Sequence, residues 1–351
     1  MSGFARSWTF LAAILAAALT ASAAGAGDRV RVGEGPFITG GAFYIAREKG
    51  YFKKLGLDIE TRSFIDGAMA VPSMISGELD ITLMTPNASL FNSVAKGAPL
   101  VVFLDRGSNR KGFAYTLVNV TQTLHDAGVR SLADFAKLKG KRMGVGALGS
   151  INQYNLAQAL LKAGLNPATD VQWIANISQP DLMKMLGQGQ LDATDLAWQF
   201  GVFAQQNKWG PIVASDDQIV PDAAIGMYAA RRDFLTKNRD AAVRFAMACL
   251  YAAKEFNAAA REPDKYPEIV DILAKNTALN KPELVKKIAP NWGYISEDGV
   301  PLADSIMGMQ DFWSSKYFHF VEKKVTREQL FDLSIAKEAL ARLNKEKPFA
   351  K

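Results

Sequence analysis

Cysteine occurs once in the 351 residues and histidine twice. The lone Cys249 sits in an apolar helical stretch, which excludes an intrachain disulfide and leaves no cysteine after the N-terminal leader to carry a lipid. His125 lies in a polar segment and His319 between aromatics, neither beside a cysteine or carboxylate cluster at ligand spacing, so no metal is expected. A Gly-x-Ser-x-Gly elbow, a P-loop and the dinucleotide glycine fingerprint are also missing. The expectation is a protein with no catalytic residues and no cofactor. Neither sign of charge forms a block: the net charge is +6, and Lys and Arg are scattered among acids, as in Glu48-Lys49 and Glu322-Lys323-Lys324. Without a basic stripe interleaved with aromatics, nucleic acid is not an expected partner.

What is present begins with Arg6, an uncharged apolar run from Trp8 to Leu19, and small residues at Ala21-Ser22-Ala23 and Ala24-Gly25-Ala26. That order predicts a secretory signal peptide over 1–26, cleaved after Ala23 or Ala26, because the run is short for a membrane span. A secreted, disulfide-free chain that lacks a lipid anchor fits a periplasm, free in solution and monomeric. The rest is 49% hydrophobic and 22% charged over the whole chain, as in a soluble globular protein, and is long enough for two cores.

Gly77-Glu78-Leu79-Asp80-Ile81-Thr82 returns 112 positions on as Gly189-Gln190-Leu191-Asp192-Ala193-Thr194. Each copy follows an amphipathic stretch at helical spacing and reads as a glycine-ended helix running into a brief strand. One α/β unit is used twice, which predicts two lobes with a ligand between them. Strands are predicted at 30–32, 57–60, 79–84 and 100–104, with helices at 42–49, 68–76 and 89–96 between them. The scheme repeats with strands at 142–145, 171–174 and 191–196 and helices at 131–138, 151–163 and 181–186. Such alternation implies an α/β fold with mostly parallel sheets covered on both faces. The strands near Tyr115–Val118 and Ile225–Ala230 are the expected crossings, dividing the chain into lobe 1 (27–117), lobe 2 (118–226) and a helical return to lobe 1 (227–351).

Ala42 through Asp58, followed by Ser76-Gly77-Glu78-Leu79-Asp80, resembles the opening of substrate-binding proteins of the nitrate, sulfonate and taurine class of ABC importers; thiamine-precursor binders share the pattern. Leu132 to Phe135, Leu138 to Arg142 and Gly189 to Ala193 are similar to that family's second lobe. The resemblance implies a two-lobed type II periplasmic binding protein fold and a permease with its ATPase as partner. It implies a small organic anion as ligand, with a neutral thiamine-precursor pyrimidine as the alternative. Members often carry an acid and a proline soon after the second Asp-Ala, whereas this chain reads Asp195-Leu196-Ala197-Trp198-Gln199-Phe200. A secreted enzyme or sensory partner on this scaffold is a further reading. The related pyrimidine-synthesis enzyme is iron-dependent, intracellular and cysteine-rich, and the leader and single cysteine count against it.

Ligands of open parallel sheets sit beyond the carboxyl ends of strands, where helix N-termini favour anions. Four loops meet that description. They supply Gly41, Ala42 and Phe43; Thr85, Pro86 and Asn87; Gly149, Ser150 and Asn152; and Asp195, Trp198 and Gln199. Arg106 and Asn109, after the strand at 100–104, are further candidate positions. Each has a plainer alternative: a flexible loop for the first, helix capping for Asn87 and Ser150, core packing for Trp198, a solvated loop for Arg106 and Asn109, and pairing with a nearby Arg or Lys for Asp195.

Overall fold

The computed structural model describes residues 27–64 and 67–350, and the expected leader lies outside them. Short apolar runs punctuated by glycine form ten strands among the described residues: β1 (Asp28–Glu34), β2 (Leu57–Ser63), β3 (Ile81–Met84), β4 (Leu100–Ser108), β5 (Thr116–Val120), β6 (Arg142–Gly144), β7 (Gln172–Ile174), β8 (Ala193–Ala197), β9 (Ile212–Ser215) and β10 (Ala224–Arg231). They make two five-stranded sheets, β2-β1-β3-β10-β4 and β7-β6-β8-β5-β9. Each sheet is parallel except for one inserted strand. β10 runs antiparallel to β3 and β4, and β5 antiparallel to β8 and β9. The α/β class and the two-lobed arrangement expected from the sequence are therefore observed. The expected boundaries at 117/118 and 226/227 fall inside β5 and β10, and the chain passes between sheets in 109–115 and 216–223.

The repeated Leu-Asp-x-Thr acts as a latch between neighbouring strands. In lobe 1 the Asp80 carboxylate accepts from the Arg31 backbone N–H at 2.9 Å and from its guanidinium at 2.9 and 2.6 Å. In lobe 2 Asp192 does the same for Arg142, at 2.8, 2.9 and 3.1 Å. The threonine two residues on donates to the neighbouring strand's glycine carbonyl in both, Thr82 to Gly33 and Thr194 to Gly144. The arginine–carboxylate bonds are charge-assisted, and with the threonine bonds they tie β3 to β1 and β8 to β6. The repeat is structural, and it fixes where each central strand begins.

Eight of the helices position the rest: α1 (Gly41–Glu48), α2 (Ala88–Ala95), α3 (Ile151–Lys162), α4 (Gln179–Gly187), α5 (Trp198–Gln206), α6 (Arg239–Arg261), α7 (Ala303–Trp313) and α8 (Ser334–Glu346). The 23-residue α6 packs on α1 and α8 and closes the lobe 1 core, where the Phe52 and Phe245 rings stack at 5.0 Å. Phe43 touches both rings.

Candidate functional site at the seam between the lobes

Arg106 stands near the end of β4 and is 1% exposed. Its Nη1 donates to Thr39 Oγ1 at 2.6 Å, and its Nη2 to the carbonyl of Met84, the last residue of β3, at 3.2 Å. Nε has no partner, and among the described residues the guanidinium makes no ion pair. Gly226 on β10 gives it room: a Cβ there would lie 2.6 Å from Nη2. Burial raises the pKa of the hydroxyls of Tyr44, Tyr115 and Tyr228, and the charge of Arg106 opposes the rise in all three. A fixed cation thus stands at the carboxyl end of the lobe 1 sheet, with phenol rings about it.

Lobe 2 brings a different surface. Asp195 lies within β8, fully buried; its Oδ1 accepts from Asn152 Nδ2 at 3.2 Å and its Oδ2 from Asn155 Nδ2 at 3.1 Å. Desolvation, then the charge of Asp216, pushes the Asp195 pKa well above the carboxylate range. Among the described residues no Arg or Lys pairs with it, so the plainer of the two alternatives is not observed. Two amides on one face of α3 fill that role and seat the helix on the end of β8. Asp216 accepts from the Tyr115 backbone N–H at 3.0 Å, and burial pushes it up to about 7. Among the described residues, Gln153 Nε2, Asn155 Oδ1 and Gln199 Oε1 are buried without partners. Orphan polar atoms of this kind are rare in native interiors and call for an explanation.

The lobes touch. The Ala88 N–H opening α2 donates to the Gly149 carbonyl at 3.0 Å, and Gly149, at φ +75°, has no room for a Cβ, which would lie 2.7 Å from the Ala88 Cβ. The helix start opposed to α3 is therefore that of α2.

The sequence-predicted positions divide into two groups. Arg106, Thr85 to Asn87, Gly149 to Asn152 and Asp195 to Gln199 all lie along this seam. Gly41, Ala42 and Phe43 do not: they are the buried first turn of α1, and a Cβ on Gly41 would strike the Phe256 ring at 2.3 Å. What that loop gives the seam is Thr39. Asn87 and Ser150 are caps, accepting from Leu90 N and Gln153 N. The expected loop at 195–199 is not one, because β8 runs into α5 without a break. The Trp198 backbone N–H donates to the Tyr115 carbonyl at 3.0 Å, while its half-buried ring packs against the lobe 1 core. Thr39, Tyr115, Gln153, Asn155 and Asp216 were missed; only Asn155, one turn beyond Asn152, carried a local signal. A depression of about 720 Å³ lies elsewhere, on lobe 1 beside Gly27 and Lys53 and away from these strand ends.

Two sheets with exchanged antiparallel strands and a polar seam define a periplasmic binding protein fold. Solved structures agree: the nitrate-binding protein NrtA of Synechocystis PCC 6803 superposes with a TM-score of 0.73 at 13% identity, covering 93% of this chain and 91% of that one. The aliphatic sulphonate binding protein SsuA of Escherichia coli gives 0.64 at 19%, covering 86% and 91%. Residues 24–274 match the NMT1-like family, and the chain belongs to that family. A Brucella abortus relative, named only "Putative binding protein", is 29% identical over 302 residues, 84% of this chain and 86% of its own length.

Proposed function

We propose that the mature protein is the periplasmic solute-binding component of an ABC importer. It captures a small organic anion, a sulfonate or a carboxylate with or without an aromatic ring, between its lobes and delivers it to the permease. Arg106 carries this reading. A guanidinium taken out of water loses several kcal/mol of hydration, and such a charge is retained where a counter-charge meets it. Here two donors are engaged by Thr39 and Met84 and Nε stays free, at the strand end where ligands of such sheets sit. Nitrate and sulphonate, named for the two structural neighbours, are anions too.

A thermal-shift screen of the mature protein against sulfonates, aromatic carboxylates, nitrate and pyrimidines tests the proposal. A cleft binder gains about 2.7 kcal/mol at a hundredfold ligand excess over its dissociation constant. Stabilisation by one anion class is the expected outcome. A neutral heterocycle is the second reading, favoured by the unpartnered amide atoms of Gln153, Asn155 and Gln199; stabilisation by pyrimidines with none by anions would replace the first reading with it.

A further inference from the structure

Tyr154, on α3 of lobe 2, has its ring edge-on to Phe312 at 5.3 Å and to Trp313 at 6.1 Å, both in lobe 1. Ile151, one turn earlier, is 6% exposed and belongs to the lobe 1 apolar cluster around Met84, Phe91 and Trp313. On the edge strand β7, Trp173 meets Phe318 at 6.3 Å. Phe318 projects from the turn after α7, which is closed by Val321 N–H to the Trp313 carbonyl and held to α2 by Asn92 Nδ2 on the Phe320 carbonyl. The lobe 1 half is thus rigidly backed. In the lobe 2 half, Ile151 and Tyr154 ride on α3, the helix that Asp195 seats at the seam, and Trp173 on β7.

We propose that these six side chains are a clasp, which holds the lobes together without ligand and sets how much of the protein is closed. The contact is apolar and edge-to-face, so it closes a hinge without demanding a charged partner. Its side chains include neither Arg106 nor an orphan amide, although Tyr154 lies between Gln153 and Asn155 on α3. Its effect on affinity rests on the capture reading: if closure is needed for tight binding, weakening the clasp lowers apparent affinity by the fraction of closed protein lost. Its effect on closure does not depend on any ligand.

Spin labels on Ile75→Cys in lobe 1 and Leu148→Cys in lobe 2 give the interlobe distance; these positions are 54% and 51% exposed, and the native Cys249 is buried. Measured without ligand, the protein with an intact clasp is expected to show one narrow distance distribution. Adding Tyr154→Ala should move it to longer, broader distances, with the closed-to-open ratio reduced roughly tenfold. Trp173→Leu alters a half-buried side chain at a sheet edge and should shift the distribution the same way by less. It decides the matter if Tyr154→Ala loses its cooperative unfolding transition. The same distribution in all three proteins, or long distances already in the intact one, would overturn the clasp. Failure of every ligand in the thermal screen would leave this result untouched, so the two readings fail separately.

Discussion

Buried charge is concentrated in a few residues, and each has a measurable consequence. Burial pushes Asp105 and Asp216 up to about 7, against roughly 4 in an unfolded chain. Between those values the folded protein holds protons that the unfolded chain has released. Their contribution to stability is therefore full below about pH 4 and is lost as pH rises through 7. Asp240 and Asp181 are lowered, by Arg342 and Ser178 first, and act in the opposite sense, but only below the ordinary carboxylate range. The melting temperature should fall between pH 5 and pH 8, and Asp105→Asn or Asp216→Asn should flatten the fall. A profile that rises over that interval, or is unaltered in both variants, would refute the assignment. Gly226→Ala is expected to push Arg106 aside, costing about 1–3 kcal/mol by urea unfolding and weakening anion binding as well.

At the scale of elements, the twin latches predict a matched pair of losses. Removing the Asp80 carboxylate strips three donors of their acceptor, so Asp80→Ala should cost about 2–3 kcal/mol in urea unfolding. Asp192→Ala should cost less, because its side chain is 19% exposed against 5% for Asp80. Equal losses, or none, would show that the latch does not act through buried charge. The repeat was legible because a helix-ending glycine and a strand-opening Leu-Asp recur at fixed spacing. Its bonding to Arg31 and Arg142 was not, because those partners lie 49 and 50 residues away. The same limit explains the seam. Helix and strand periods placed β1 to β4 and α1 to α3 closely, yet the direct passage from β8 into α5 looked like a polar turn, and β9 has only four residues. Phe43 read as a loop residue beside glycines; it faces the core because Phe245, about 200 positions on, meets it there. Arg106 was found by its place after a strand, whereas its contact with Thr39 depends on the sheet order.

For the molecule as a whole, two rigid lobes meet through connections at 109–115 and 216–223. Reciprocal bonds strap the connections together: the Asn109 N–H donates to the Ala223 carbonyl at 3.0 Å, and the Ala223 N–H to Asn109 Oδ1 at 2.7 Å. Short, cross-braced connections favour hinge rotation over sliding. Export is expected to remove the leader after Ala23 or Ala26, and the intact mass of periplasmic protein reads this directly; a mass that retains Met1 to Leu19 would contradict it. The central claim is that Arg106 meets the charge of a ligand held between the lobes. Calorimetric titration of the wild type and Arg106→Gln, with the anion that stabilises the protein most in the thermal screen, tests it most directly. A buried charge that loses its partner costs about 2–5 kcal/mol, so the variant should bind at least ~30-fold more weakly while still unfolding cooperatively. Undiminished affinity in a folded Arg106→Gln protein would contradict the claim.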